Sequence, residues 1–175
     1  MDNGSVVNVV IAGLGGQGVL KASDILADTA FATGRDVKKS ELHGMSQRGG
    51  SVSSDVRYGE RVHSPMVPAG EADYLVVLDP DQVEVNRHVL REGGVLLEPS
   101  VFFDEDEGIE DLDDLDADED VIVSRRTINV AMLGVLSSYL DLPDDRWIEA
   151  IQANLPEEHW TLNTDVFRFG QTIGS

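Results

Sequence analysis

The chain has 175 residues, 41% of them apolar, so it is long enough to bury one hydrophobic core and too apolar to be disordered. It has no cysteine, which excludes disulfides, thiolate nucleophiles and the usual ligands of iron–sulfur clusters. Its formal net charge of -20 argues against nucleic acid or an anionic membrane as the main partner.

The negative charge is concentrated in the stretch 104–120, which has twelve acidic residues and no lysine or arginine. We expect this stretch to be an insertion or a mobile surface segment. Two interpretations of the acidity stay open: adaptation to a salt-rich cytoplasm, or one solvated loop on an ordinary protein. Residues 1–5 lack the basic region of a secretory signal, and Val6–Ala12 is too short to span a bilayer, so we expect a cytoplasmic protein.

The first elements alternate between strand and helix. Val6–Ala12 is largely apolar and rich in β-branched residues, with Asn8 as its one polar residue, which predicts a central strand covered on both faces. Apolar residues from Val19 to Ala30 recur at helical spacing, and Gly34 closes that helix. Asp36–Leu42 is a plausible second strand.

The middle of the chain predicts antiparallel pairing and a further parallel unit. Ser51–Tyr58 alternates in polarity, and the turn after it predicts a hairpin partner at Arg61–Ser64. Asp73–Asp79 is predicted to be a second buried strand. Its residues Tyr74–Leu78 are expected to lie at the centre of the sheet. A helix should run from Pro80 to about Leu90.

The last third is mostly helical. After a turn at Gly93 and Gly94, short strands are expected at 95–97 and 121–123. Helices are expected at 127–140, 146–154 and 163–170. The pattern predicts a single three-layer α/β domain over residues 1–175, with a mostly parallel, partly mixed sheet.

A glycine-rich motif follows the first strand directly. The stretch 13–18 fits G-x-G-x-x-G, in which glycines allow a tight turn and the helix N-terminus attracts phosphate. A dinucleotide site would also need an acid after the second strand, and Glu41 is the candidate. The alternative is a turn that only packs helix against sheet. The candidate cofactor-binding residues are Gly13, Gly15, Gly16, Gln17 and Gly18.

Two motifs carry a resemblance to a known family. Gly13–Leu20 together with Ser40–Val52, which includes His-Gly-Met-Ser-Gln-Arg-Gly-Gly, closely resembles the β subunit of indolepyruvate:ferredoxin oxidoreductases. More broadly it is similar to the γ domain of pyruvate and 2-oxoglutarate ferredoxin oxidoreductases. The resemblance resumes at Asn129–Gly134 and at a few positions after residue 160, so it covers most of the chain.

The resemblance implies a subunit that is inactive alone and binds no metal or redox cofactor itself. A large partner would hold thiamine diphosphate, magnesium and iron–sulfur clusters. The complex would decarboxylate an aryl pyruvate, pass two electrons to ferredoxin and form an acyl-CoA from CoA. The alternatives are a γ subunit for pyruvate or 2-oxoglutarate, a free-standing oxidoreductase using NAD or flavin, and a non-catalytic assembly module.

The loop His43–Gly50 is the main candidate for a functional role. Its three glycines let the backbone approach another molecule, and its polar side chains offer donors and a fixed positive charge. A guanidinium can grip a carboxylate or phosphate with two hydrogen bonds. The candidate catalytic residues are Arg48, His43, Glu41 and Gln47.

We expect this loop to face the active site at the subunit interface, close to the turn 13–18. Arg48 would bind the substrate carboxylate, a CoA phosphate or an acid of the partner, and Glu41 could orient Arg48 or His43. The alternative is that Arg48 pairs with a local acid and only pins the loop. The four histidines are too scattered to suggest a metal site, and an apolar surface patch is expected where the partner docks.

Overall fold

A five-stranded sheet lies at the centre of this computed structural model, which describes residues 6–44, 49–102 and 123–175. In spatial order the sheet reads β2-β3-β1-β4-β5. β1 is parallel to β4, and β4 is parallel to β5, whereas β3 is antiparallel to both β1 and β2. The strands are β1 (Val7–Leu14), β2 (Asp36–His43), β3 (Ser51–Gly59), β4 (Ala72–Val77) and β5 (Leu90–Leu97).

The predicted α/β class and mixed sheet are confirmed, although parallel and antiparallel pairings are equally frequent among the described strands. β1 is central, as its apolar run predicted, because β3 and β4 occupy its two edges. Val9, Ile11 and Ala12 are each 0% exposed. The acidic stretch 104–120 lies outside the described residues, as does most of the predicted strand 121–123; its last residue is buried but not in a strand.

The predicted hairpin partner at Arg61–Ser64 is wrong. Both edges of β3 are already paired, with β1 and β2, so no edge remains for another strand. The segment instead crosses the sheet irregularly and is held by side chains of the strands. Asp36 Oδ2 accepts the Val62 N–H at 2.7 Å, and Arg57 donates to the carbonyl oxygen of Ser64 at 3.0 Å.

The described helices follow the sequence pattern with shifted ends. The helix expected at 80–90 is only five residues long and is followed by a 3₁₀ turn, because the chain enters β5 at Leu90. Gly93 and Gly94, expected in a turn, lie within β5. The last helix is longer than predicted at both ends. The helices are α1 (Val19–Phe31), α2 (Gln82–Asn86), α3 (Ile128–Ser137), α4 (Asp144–Asn154) and α5 (Trp160–Gly174).

The two faces of the sheet are covered unequally. α1, α3, α4 and α5 share the larger core on one face, where the ring centroids of Trp147 and Phe167 lie 5.4 Å apart. The smaller core on the other face contains Val83 of α2 and Val67 of the crossing segment, so the third layer is thin. Among the described residues, no helix combines the length and apolar character needed to cross a membrane.

Glycines set the close contact between α3 and α5. A Cβ atom at Gly170 would lie 2.1 Å from the carbonyl oxygen of Ala131, and one at Gly134 would lie 2.1 Å from that of Phe167. Both neighbours are backbone atoms, which cannot move aside as a side-chain end can. The two helix axes can therefore approach this closely only because both positions lack a side chain.

Candidate functional site

The connections that follow the parallel strands β1 and β4 leave the sheet toward opposite faces. β1 leads into α1, which packs on the face with the larger core, whereas β4 leads into α2 on the opposite face. In an open α/β sheet, neighbouring strands whose connections leave to opposite faces form a crevice where ligands bind. The glycine-rich turn 13–18 follows β1 and the turn 79–81 follows β4, so these two turns would border such a crevice.

The glycine-rich turn has the conformation that its sequence requires. Gly16 and Gly18 have φ angles of 93° and 82°, in the left-handed region that other residues avoid. Gly18 is the residue immediately before α1. A Cβ atom there would lie 2.4 Å from Nδ2 of Asn129, the second residue of α3. The turn is therefore shaped both by backbone conformation and by close packing.

The tip of the turn is open to solvent. Gly15 and Gly16 are exposed, and nothing lies within 4 Å of where a Cβ atom of Gly16 would be. The first turn of α1 contains no acidic residue and includes Lys21. Free N–H groups and the positive end of a helix dipole favour a negatively charged group at such a position.

Gln17 differs from the glycines around it because its side chain is buried, with 7% exposed. Its Oε1 accepts the N–H of Leu14 at 2.7 Å, and its Nε2 donates to Oδ2 of Asp79 at 2.8 Å. Both polar ends of this side chain are thus used within the chain. Its predicted part in cofactor binding stays a prediction, and any such part would act through the shape of the turn.

The loop 43–50 connects β2 to β3 and ends beside the glycine-rich turn. Gly44 N–H donates to the carbonyl oxygen of Ser51 at 2.7 Å, and Gly15 N–H donates to that of Gly50 at 2.9 Å. The described end of the loop therefore lies against the turn, as expected. His43 is exposed at the end of β2. Gln47 and Arg48 lie outside the described residues, and their roles stay predictions.

Glu41 has a local partner. Its Oε1 lies 2.7 Å from Nζ of Lys39, which also bonds the carboxylate of Asp24 on α1. Burial lowers the pKa of Lys39, but the hydrogen bonds to Asp24 and Glu41 outweigh it, so the pKa is raised. β3 also separates β2 from β1. A ribose-binding acid would belong on a strand next to β1, so this order does not favour the dinucleotide interpretation.

Sequence reasoning missed two residues that shape the site, Asp79 and Asn129. Asp79 lies two residues after the end of β4 and accepts a hydrogen bond from Gln17, and Asn129 donates to the carbonyl oxygen of Gly18 at 3.3 Å. The signal for Asp79 was its position directly after a buried strand, where polar residues gather at a crevice. In the described part of the chain, no group of three or more His, Cys, Asp or Glu residues has the arrangement to hold a metal ion.

The comparison with known proteins now decides the family. The sequence pattern of the pyruvate ferredoxin/flavodoxin oxidoreductase family matches residues 8–173. The chain belongs to this family. It is 30% identical over 187 aligned positions to the indolepyruvate oxidoreductase subunit IorB of Methanothermobacter thermautotrophicus, covering 93% of this chain and 95% of that protein.

Solved structures in the pyruvate ferredoxin/flavodoxin oxidoreductase group share the fold. The γ subunit of a keto/oxoacid ferredoxin oxidoreductase from Geobacter sulfurreducens matches with a TM-score of 0.75 and 22% identity, over 96% of this chain and 98% of that one. The 2-oxoglutarate:ferredoxin oxidoreductase of Magnetococcus marinus matches with a TM-score of 0.77 and 19% identity, over 97% of this chain and 31% of that longer one. These structures support the fold, and the match over residues 8–173 confirms the family suggested by the sequence motifs.

Proposed function

We propose that the chain is the small subunit of a 2-oxoacid:ferredoxin oxidoreductase of the indolepyruvate type. The observation that carries this proposal is the alignment with an indolepyruvate oxidoreductase subunit over 95% of that subunit's length. The shared fold with a γ subunit supports the same role. The reaction would convert an aryl pyruvate, CoA and oxidised ferredoxin into an acyl-CoA, carbon dioxide and reduced ferredoxin.

The cofactors of the reaction are proposed to lie in a larger partner subunit. Thiamine diphosphate with magnesium would supply carbanion stabilisation, and iron–sulfur clusters would supply electron transfer. The absence of cysteine from the sequence supports this division, because thiolates are the usual ligands of such clusters. The isolated chain would accordingly oxidise no 2-oxoacid.

This chain's own contribution would be to one wall of the substrate or CoA site. The exposed tip of the glycine-rich turn and the N-terminus of α1 suit a negatively charged group. The loop 43–50 lies against that turn at Gly50, so His43, Gln47 and Arg48 would act at the same site. Arg48 would bind the substrate carboxylate, a CoA phosphate or an acid of the partner. The Magnetococcus marinus relative was solved with CoA and succinyl-CoA bound, which supports CoA as cosubstrate.

Affinity purification of the tagged chain from its source tests the proposal. The expected result is co-purification of a larger iron–sulfur subunit and CoA-dependent reduction of ferredoxin with indolepyruvate or phenylpyruvate. Preference of the complex for pyruvate or 2-oxoglutarate would correct the substrate class. Oxidation of any 2-oxoacid by the chain alone, or tight binding of NADH or flavin to it, would overturn the proposed role.

A further inference from the structure

Gln17 stands out because its buried side chain joins two turns that are far apart in sequence. Its Nε2 bonds Asp79, 62 positions along the chain, at 2.8 Å. Its Oε1 bonds the backbone of Leu14, inside its own turn, at 2.7 Å. A hydrogen bond to a carboxylate is stronger than one between neutral groups, and burial strengthens it further.

Asp79 in turn organises the opposite wall of the crevice. Its Oδ1 accepts the N–H of Asp81 at 3.0 Å, and its carbonyl oxygen accepts the N–H of Gln82 at 2.9 Å. These bonds form the turn from β4 into α2. The Gln17–Asp79 bond therefore joins the two turns beyond the point where the pairing of β1 and β4 ends.

The glycine-rich turn is also hydrogen-bonded to the described end of the loop 43–50. Gly15 lies two residues before Gln17 and donates its N–H to the carbonyl oxygen of Gly50 at 2.9 Å. A Cβ atom at Gly13 would lie 2.8 Å from Oε1 of Gln17, so the side chain fills the space inside the turn. A shift of Gln17 would move Gly15 and, with it, the end of the loop.

We propose that Gln17 is a positioning residue, which holds the glycine-rich turn, and with it the adjoining backbone of Gly50, in the geometry that the complex needs to bind its substrates. This inference rests on the proposed function. Gln17 itself touches neither substrate nor cofactor in this scheme, because both ends of its side chain are occupied within the chain. It acts through the backbone of Gly15 and Gly50.

A swap of donor and acceptor tests this role in the assembled complex. In Gln17→Glu, a carboxylate replaces the amide and faces Asp79, so the bond is lost and two negative charges meet. In the double variant Gln17→Glu with Asp79→Asn, the new asparagine can donate to the new glutamate. Its oxygen remains free to accept the N–H of Asp81. The double variant therefore restores every hydrogen bond of the original pair with the same total charge.

The readout is kcat/KM for the 2-oxoacid and for CoA, per mole of assembled complex. We expect Gln17→Glu to lower it at least about tenfold, with KM changing more than kcat, and the double variant to recover to within about threefold of the original chain. The matched control is Gln171→Glu. Gln171 makes the same kind of bond, to Asp144 at 2.9 Å, on the surface where α4 meets α5.

Two results would overturn the inference: Gln17→Glu with unchanged kcat/KM per assembled complex, or a double variant no better than the single one. If the Gln17→Glu variant does not assemble, Gln17→Met is measured instead, because it removes both hydrogen bonds without adding charge. We expect the same loss of kcat/KM in Gln17→Met, and unchanged kinetics in that variant would also refute the inference. Absence of activity in the complex of the unaltered chain would instead overturn the proposed function, and this inference with it. A control variant that loses as much as Gln17→Glu would show that the effect is not specific to the turn.

Discussion

Substituting Gly18 by alanine tests how tightly the glycine-rich turn is packed, and Gly34 provides a matched comparison. Gly18 and Gly34 have nearly the same backbone conformation, with φ angles of 82° and 81°. At Gly34 nothing lies within 4 Å of an added Cβ atom, whereas at Gly18 that atom would lie 2.4 Å from Nδ2 of Asn129. The two substitutions therefore share the conformational cost and differ in the steric one.

The conformational cost of alanine in the left-handed region is about 1–2 kcal/mol, which is the whole expected effect of Gly34→Ala. Gly18→Ala also forces the Asn129 amide to rotate away, which loses its hydrogen bond to the carbonyl oxygen of Gly18 and adds about 0.5–1.5 kcal/mol. Urea unfolding of the purified chain measures both free energies. In a chain of this length each kcal/mol corresponds to about 2–4 °C in Tm. Equal losses in the two variants would refute the claim that Asn129 packs against the turn. In an Asn129→Ala background, Gly18→Ala should cost no more than Gly34→Ala does.

Three further predictions concern other parts of the chain. Gly170→Ala should lower the free energy of unfolding by at least about 2 kcal/mol, because its Cβ atom would lie 2.1 Å from the carbonyl oxygen of Ala131; an unchanged Tm would contradict this. Burial raises the pKa of the Asp55 carboxyl above its ordinary value of 3.8, although the Val67 N–H and the charge of Arg57 oppose the shift. Because the folded chain then binds the proton more tightly than the unfolded chain, the stability that the protonated Asp55 contributes is lost as pH rises through the folded-state pKa. Asp55→Asn should therefore stabilise the chain at pH 7 and give no gain below about pH 4 in melts across pH, and a loss at pH 7 would contradict the sign. Arg48→Lys should lower kcat/KM of the complex at least about tenfold, or ~1.4 kcal/mol, whereas unchanged kinetics in an intact complex would leave the loop merely structural.

Local patterns were enough to predict the elements on which the site is built. Val6–Ala12 is apolar except at Asn8, so both faces of the strand carry apolar side chains, and such a run is typical of a strand covered on both sides. The glycines of the turn 13–18 likewise predicted a tight connection into α1, which the φ angles of Gly16 and Gly18 confirm. These features depend on neighbours in the sequence, so the sequence carries their signal directly.

The misses share a different cause, since each depends on residues distant in the sequence. The hairpin at Arg61–Ser64 was wrong because β2 and β1 had already taken both edges of β3, which the alternation of β3 alone cannot reveal. The bond from Gln17 to Asp79 spans 62 positions, and a glutamine among glycines gives no sign of its partner. Asn129 was noticed only as part of a family motif, although it packs against Gly18.

The exposed apolar side chains bear on where a partner would dock. On the thinly covered face of the sheet, Leu42 and Met66 are each 52% exposed and Val85 is 55% exposed. Large apolar side chains are also exposed elsewhere, Phe31 among them at 70%, so the apolar docking patch stays a prediction. The interface with a larger subunit remains part of the proposed function.

The dependence of the larger subunit on this chain is measured by titrating one with the other and following indolepyruvate-dependent reduction of ferredoxin in the presence of CoA. We expect no reduction by either component alone and a rise with added chain to a plateau at a fixed ratio. Full activity of the larger subunit without the chain, or any activity of the chain by itself, would contradict this dependence.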